Sequence, residues 1–290
     1  MDILVNITIN GLATGMLIFL LAAGLTLIFG LMDILNFAHG ALFLWGAYVG
    51  IWTYGETQSF VIGMLAAIIS GALLGYLLER FIIKPVYGNH IQQILITLGA
   101  MLVMGELVKV VWGPNIIEAK VPPFLNGSWE FGDMIIIKYR IFIILVGFIV
   151  FGGLLFLLNK TKLGLIVRAG VMNKEMVQAL GIDIRKIFLF VFILGSAMAG
   201  LAGILLGPYS GVIHAEIGLE YGILAFIVVI IGGMGSVLGS AMAAVLVGIL
   251  GAYAAYFVPD LAVAVNMLIM LIILIFKPSG LLGSEEVVKQ

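Results

Sequence analysis

Long apolar runs separated by short polar segments dominate the chain. The runs are apolar on every side and do not alternate with polar residues, which is typical of bilayer-spanning helices and not of barrel strands. We predict nine such helices, with eight as the alternative count, at about 7–31, 38–54, 60–82, 92–112, 139–158, 187–206, 222–235, 238–257 and 261–276. The chain is therefore expected to be all-α, a polytopic transmembrane helix bundle forming one domain over residues 1–290.

Two places in this pattern predict interrupted helices. The run at 222–235 is short for about 30 Å of hydrocarbon and leads into GGMGSVLG, so 222–257 is expected to contain broken or re-entrant elements. GLMDILNFAHG, at 30–40, brings polar residues and glycines into apolar sequence. The similarity of GLMDIL (30–35) to GGMGSV (232–237) suggests an internal repeat.

The composition supports a membrane protein. Of 290 residues, 63% are hydrophobic and only 10% are charged, and the mean hydropathy is +1.26. Soluble domains carry roughly 25% charged residues. The absence of cysteine excludes disulfides and thiolate metal sites, and a net charge of −1 gives no indication of a nucleic-acid partner. The N-terminus lacks the basic segment of a removable signal peptide, so the first helix is expected to be retained.

Basic residues predict the orientation. With the loops near 83–91 and 159–186 and the C-terminal tail on one side, that side holds ten lysine and arginine residues, and the other side holds four. The positive-inside rule makes the first side cytoplasmic. Nine spans then leave the N-terminus outside.

The cytoplasmic loop at 159–186 predicts a short amphipathic helix. Asn173 is the expected N-cap, Glu175 lies in the first turn and Gly181 ends the helix. Its apolar positions are Met176, Ala179 and Leu180. Two turns are unstable alone in water, so this helix is either an interfacial link or a coupling helix that docks on a cytosolic partner.

Two stretches carry a family resemblance. These are EMVQALGIDIRKIFLFVFILGSAMAGLAGILLGP and GLTLIFGLMDILNFAHGALFLWGAYVG. Together they closely resemble the membrane permease subunits of Liv-type ABC importers for branched-chain amino acids, over about residues 7–283. The loop motif alone is shared with relatives that carry sugars, nucleosides, urea or amides.

The resemblance implies a five-component importer in a bacterial or archaeal plasma (inner) membrane. Its other parts would be a second related permease, two cytoplasmic ATPases and an extracytoplasmic solute-binding protein, with membrane lipid around the permeases. The residues that would contact the ATPase are Glu175, Ala179, Leu180, Gly181 and Ile182. The chain has no G-x-x-x-x-G-K-[ST] phosphate loop, so it is expected to be a transport subunit and not an enzyme. No cofactor is expected in this chain, with ATP and Mg²⁺ on the ATPases.

The polar residues of the first break have three readings. On a helix, Asp33, Asn36 and Gly40 would share one face with His39 at its edge, near the cytoplasmic end of the first span. They either cap the break, or line the translocation path or its inner gate together with Phe37, or couple transport to protons. The three histidines lie on separate elements without metal-binding spacing, so no metal site is expected.

The second half indicates the substrate class. Ionisable residues from 187 to 276 cluster near predicted external ends, so the interior suits an aliphatic amino acid better than a sugar. Glu216 and Glu220 would dock the binding protein or simply solvate a helix end. The alternatives for function are the same importer with urea, amides, sugars or nucleosides as substrate, or an ion-coupled secondary transporter.

Overall fold

The computed structural model describes residues 2–131 and 134–283. These ranges contain eleven α-helices: α1 (Asp2–Met32), α2 (His39–Thr57), α3 (Phe60–Leu77), α4 (His90–Trp112), α5 (Lys138–Lys160), α6 (Lys162–Met172), α7 (Lys174–Ala179), α8 (Ile184–Ser210), α9 (Ile217–Gly232), α10 (Val237–Phe257) and α11 (Ala262–Phe276). All nine predicted segments fall on helices, which are α1 to α5 and α8 to α11. The polytopic helical bundle is confirmed.

Six of these helices are long and apolar enough to cross a membrane, namely α1, α3, α4, α5, α8 and α10. Helix α9 has 16 residues and α11 has 15. At 1.5 Å per residue, 16 residues extend only about 24 Å, so the predicted short element at 222–235 is a short helix. Helix α3 continues as a π-helical turn over Leu78–Ile83 and a 3₁₀ turn over Lys84–Val86.

Within the described ranges, two small antiparallel sheets lie outside the helices. Strands β2 (Ser128–Phe131) and β3 (Met134–Ile137) form a hairpin before α5. Strand β1 (Ile117–Glu118) pairs with β4 (Val212–Ile213), so the segment after α4 is tied to the segment after α8.

The ends of the helices fall into two groups. Asp33, which follows α1, lies 3.5 Å from His90 at the start of α4, and a side chain at Gly170 in α6 would touch Leu31. We call this the inner end, since it carries the loops 83–91 and 159–186. Its counterpart, the outer end, holds the start of α1 and α5 and the end of α10. The part of the C-terminal tail beyond residue 283, counted above on the inner side, lies outside the described residues.

The second half of the bundle repeats the first half in inverted orientation. Helix α1 ends at Asp33, whose φ is +58° and whose N–H donates to Phe29 O at 2.8 Å. Helix α8 ends in the same way at Gly211, whose φ is +79° and whose N–H donates to Gly207 O at 2.9 Å. In both halves a six-residue non-helical segment follows, 33–38 or 211–216, and then a helix begins, α2 or α9.

Packing follows the same repeat. Helix α1 packs along α10, and its counterpart α8 packs along α3. Helices α1 and α8 cross at Gly24 and Gly195, where a Cβ on either residue would meet the carbonyl oxygen of the other at 2.5 and 2.8 Å. Helices α2 and α9 cross in the same way at Gly40 and Gly218. This is an inverted-topology repeat, as found in many transporter folds.

The repeat therefore differs from the one suggested by the sequence. The structural counterpart of 30–40 is 208–218, and not 232–237. The segments at Gly30 and Gly235 are neighbours in space, with a Cβ on Gly30 placed 2.7 Å from the Cα of Gly235. Glycine at both positions lets these backbones touch, but the similarity aligns Gly30 with Gly232, so this contact does not account for it.

The inner end of α9 is closed by the chain's own C-terminal segment. Leu281 N–H donates to Ile231 O at 2.7 Å, and Leu282 N–H donates to Gly232 O at 3.0 Å. These bonds satisfy carbonyls that a helix end leaves unpaired.

Candidate functional site

The break after α1 is re-entrant. His39, the first residue of α2, contacts the carbonyl oxygen of Leu21 through Nε2 at 3.0 Å. Leu21 lies about three turns before the end of α1, or roughly 16 Å along the axis. Residues 33–38 thus run back beside α1, and α2 begins inside the bundle. The predicted helical face shared by Asp33, Asn36 and Gly40 is therefore wrong, because an αL residue ends α1 at Asp33 and the chain is not helical up to Ala38.

The polar residues of the break lie at different depths. Asp33 is exposed at the inner end beside His90, as expected. Asn36 and His39 are fully buried, which contradicts the expected position near water. Because a carbonyl only accepts, the contact with Leu21 makes Nε2 of His39 the donor. His39 Nδ1 and both amide atoms of Asn36 have no hydrogen-bond partner among the described residues.

Phe37 and Gly40 join α2 to two other helices. Phe37 N–H donates to Thr97 Oγ1 of α4 at 3.3 Å, and its ring stacks on Phe226 of α9 at 4.7 Å. Gly40 lies against Gly218 of α9. The break is thus the point where α1, α2, α4 and α9 meet, and movement of any one of them must rearrange it.

The inner loop forms two helices, α6 and α7, where one was predicted. The predicted N-cap is confirmed, since Asn173 Oδ1 accepts from Met176 N–H at 2.8 Å. Gly181 follows the helix with φ +79°, a conformation that side chains rarely adopt.

Helix α7 turns its predicted apolar face outward. Met176 is 60% exposed and Leu180 is 73% exposed, and Glu175 and Ala179 are exposed beside them. Val177, at 2% exposure, anchors the helix to the bundle. Exposed apolar side chains on a short helix at the inner end form a surface that a second protein can cover.

One buried acid was missed by the sequence analysis. Glu79 lies in the π-helical turn and is only 3% exposed. Tyr87 donates its hydroxyl hydrogen to Glu79 Oε1 and packs its ring edge-on against Phe188 of α8, with centroids 5.8 Å apart. Burial, followed by the hydrogen bond and charge of Glu79, raises the pKa of Tyr87, against a smaller lowering by Arg185. An acid inside the apolar run 60–82 was the available signal, and π-turns are frequent at functional sites.

Glu216 and Glu220 lie in different surroundings. Glu216 Oε2 is 3.3 Å from His214 Nδ1, and Glu216 Oε1 is 3.8 Å from Lys109 Nζ. Glu220 lines a cavity between α1, α9, α10 and α11. Both side chains are exposed, and their predicted docking of a binding protein stays a prediction.

Comparison with known families identifies the fold. The family model described as "Branched-chain amino acid transport system / permease component" matches residues 7–276, from the first turns of α1 to the end of α11. The chain belongs to this permease family. The resemblance noted from the sequence is thereby confirmed, and the protein is a multi-pass membrane permease.

Individual relatives cover most of this permease. The high-affinity branched-chain amino acid transport permease BraD of Pseudomonas aeruginosa is 32% identical over 79% of each chain. LivH of Escherichia coli is 28% identical over 79% of this chain and 78% of its own. LivM of the same organism is 28% identical over 76% of this chain and 57% of its own. The permease is thus similar to both LivH and LivM.

Proposed function

We propose that this chain is one of two permease subunits of an ATP-driven importer of branched-chain, aliphatic amino acids in a bacterial or archaeal plasma membrane. The family match over residues 7–276 carries the proposal. Two ATPases would bind the inner end, a second permease would complete the membrane unit, and a binding protein would deliver the substrate outside. ATP and Mg²⁺ belong to the ATPases, and this chain needs no cofactor of its own.

Helix α7 is the proposed ATPase contact. It has an exposed apolar face, a fixed start at Asn173 and a fixed end at Gly181. The contact residues are Glu175, Ala179, Leu180, Gly181 and Ile182. Helix α8 starts at Ile184, directly after this loop, and packs against α1 and α2. Displacement of α7 by the ATPase would therefore move α8 relative to both helices.

The break at 33–40 is the proposed inner gate. The buried amide of Asn36 supports this role, because a buried amide without partners costs about 1–3 kcal/mol. A state of the transporter in which this amide meets water or substrate would recover that cost. Asp33, Phe37, His39 and Gly40 would move with it.

Reconstitution tests the proposed function. The chain, the second permease, the two ATPases and the binding protein are placed in proteoliposomes, and uptake of labelled leucine is measured with and without ATP inside. We expect uptake that needs ATP and the binding protein. Uptake by the chain alone, driven by a proton or sodium gradient, would instead identify a secondary transporter. Uptake of urea or a sugar in place of leucine would correct the substrate class.

Variants of α7 test the coupling role. Glu175→Lys and Gly181→Asp should abolish ATP-driven uptake while membrane insertion persists. Lys162→Glu, a charge reversal at the start of α6, is the matched control and should keep uptake near the wild-type value. Normal uptake in both α7 variants would contradict the assignment.

Glu216 is the proposed docking residue for the binding protein. It is exposed and ion-paired with Lys109. Glu216→Lys should reduce stimulation of ATP hydrolysis by the binding protein and leave basal hydrolysis unchanged. For Glu220, which is also exposed, the docking role stays a prediction.

A further inference from the structure

A cavity of about 870 Å³ lies in the outer half of the bundle, between α1, α9, α10 and α11. Its volume is within the range of small-molecule sites, roughly 300–1,000 Å³. The cavity is amphiphilic. Its floor is formed by Ile18, Leu224, Ile227 and Val247, and the polar side chains stand closer to the outer end.

The inverted repeat offers a comparison for this space. In the first half, Trp45 of α2 packs on α4, where its indole N–H donates to Met104 O at 3.0 Å and its ring packs against Trp112. At the matching position of α9 stands Ile223, a smaller side chain. On α10, Gly251 contributes no side chain and leaves the wall open.

Polar groups enter the cavity from several helices. Glu220 of α9 contributes a carboxylate, and Asn266 of α11 contributes an amide whose Oδ1 is buried without a hydrogen-bond partner among the described residues. Asn266 lies over Gly251, with Oδ1 at 3.4 Å from the position of a Cβ there. Both oxygens accept hydrogen bonds, so together they suit a donor that carries positive charge.

A negatively charged group of a ligand would lie against the wall formed by α1 and α8. Asn10 and Tyr209 line the cavity, and the guanidinium of Arg140 contacts both, by a hydrogen bond to Asn10 Oδ1 and at 6.0 Å from the Tyr209 ring centroid. Since Arg140 occupies Oδ1 of Asn10, the amide NH₂ is left as a donor. Thr14 Oγ1 donates to Asn10 O at 3.0 Å, so the Tyr209 hydroxyl, 2.7 Å away, donates to Thr14 Oγ1. The free donor on this wall is therefore the Asn10 amide, and the Arg140 guanidinium gives the wall a positive field.

We propose that this cavity binds a free amino acid as a zwitterion with an aliphatic side chain. The ammonium group meets Glu220 and Asn266, the carboxylate meets the Asn10 amide NH₂ in the field of Arg140, and the side chain rests on the apolar floor. The proposal rests on the proposed function and adds a substrate site within this one chain.

Filling the cavity tests the proposal. Binding of labelled leucine to the assembled permease–ATPase complex is measured without binding protein, followed by uptake in proteoliposomes. Gly251→Leu and Ile223→Trp should each weaken leucine binding at least about tenfold, since one methylene in a pocket already changes discrimination by roughly 10–200-fold. Uptake into proteoliposomes should fall together with binding in both variants.

Two further variants separate recognition from folding. Gly152→Leu makes the same change on α5, where nothing lies within 4 Å of the new Cβ, and should bind leucine normally. Asn266→Leu keeps the side-chain size but removes the amide, and should weaken binding by a similar factor. Loss of binding in Gly251→Leu, Ile223→Trp and Asn266→Leu, with Gly152→Leu intact, supports the site.

Unchanged leucine binding in the filled variants would overturn the proposal. A second result would also overturn it: mass spectrometry finds bound phospholipid in the wild-type complex but not in Gly251→Leu, and Gly251→Leu still binds leucine. The occupant of the cavity would then be an acyl chain. Failure of the proposed function is a distinct result, in which the wild-type complex takes up no aliphatic amino acid at all.

Discussion

The crossing of α1 and α8 offers a quantitative test of how closely this bundle is packed. In Gly24→Ala the new methyl group would lie 2.5 Å from the carbonyl oxygen of Gly195, 2.9 Å from its Cα and 3.0 Å from its carbonyl carbon. All three are backbone atoms, so no side chain can rotate away. The two helix axes must separate by about 0.9 Å to bring the shortest contact to 3.4 Å, where ordinary van der Waals contact begins.

Overpacking of this kind costs about 1–3 kcal/mol. The matched control is Gly105→Ala on α4, where nothing lies within 4 Å of the added Cβ. Both variants gain the same helix propensity, up to about 1 kcal/mol, so their difference isolates the overlap. At roughly 2–4 °C per kcal/mol, the unfolding midpoint of Gly24→Ala should lie at least about 2 °C below that of Gly105→Ala.

The assay is thermal unfolding of the purified complex in detergent, followed by tryptophan fluorescence at one fixed heating rate, because unfolding of such proteins is often irreversible. Equal midpoints for the two variants would refute the reasoning. They would mean that α1 and α8 separate at no cost, and that backbone contact between helices does not hold this bundle together.

Three further predictions concern the inner end. Gly181→Ala should lower ATP-driven leucine uptake in proteoliposomes, because a φ of +79° disfavours alanine. Gly181→Asn should keep most of the uptake, because asparagine tolerates this backbone region. Identical uptake by the two variants would show that the turn is not strained. Asn173→Ala removes a cap worth about 1 kcal/mol, so amide hydrogen exchange over 174–179 should accelerate, and an unchanged rate would argue against the cap. Tyr87→Phe takes a hydrogen-bond donor from buried Glu79 at a cost of about 1–3 kcal/mol, and the lower thermal midpoint should be partly restored by adding Glu79→Met; no restoration would disprove the pairing.

The sequence predicted the helices well because their signal is local. Apolar runs of about 20 residues identify spans without knowledge of the neighbours, and all nine fell on helices. The cap at Asn173 and the turn at Gly181 were equally local, since each depends on one side chain or one φ angle. Polar residues and glycines correctly indicated a break near 33–40.

The depth of the break residues in the bundle and the contacts between helices were not predictable from such local signals. Nothing in the residues 33–38 shows that they run back beside α1, because that path is fixed by His39 meeting Leu21. The repeat with 208–218 was invisible because its halves share backbone geometry and hardly any residues. Glu79 was overlooked inside an apolar run, and the cavity is lined by residues from several helices that are far apart in the chain.

The central position of α1 has a consequence for how the protein is made. Helix α1 is synthesised before the helices it packs against, and 89% of its most apolar 18-residue stretch is buried in the finished bundle. Its partner α10 comes much later: Thr26 hydrogen-bonds to Ser240, 214 residues further along the chain. At about 5–20 residues per second, α1 waits roughly 10–40 s for that partner. During this time it must remain in lipid or on an insertion factor, so every unfinished chain presents an incompletely packed α1 to membrane quality control.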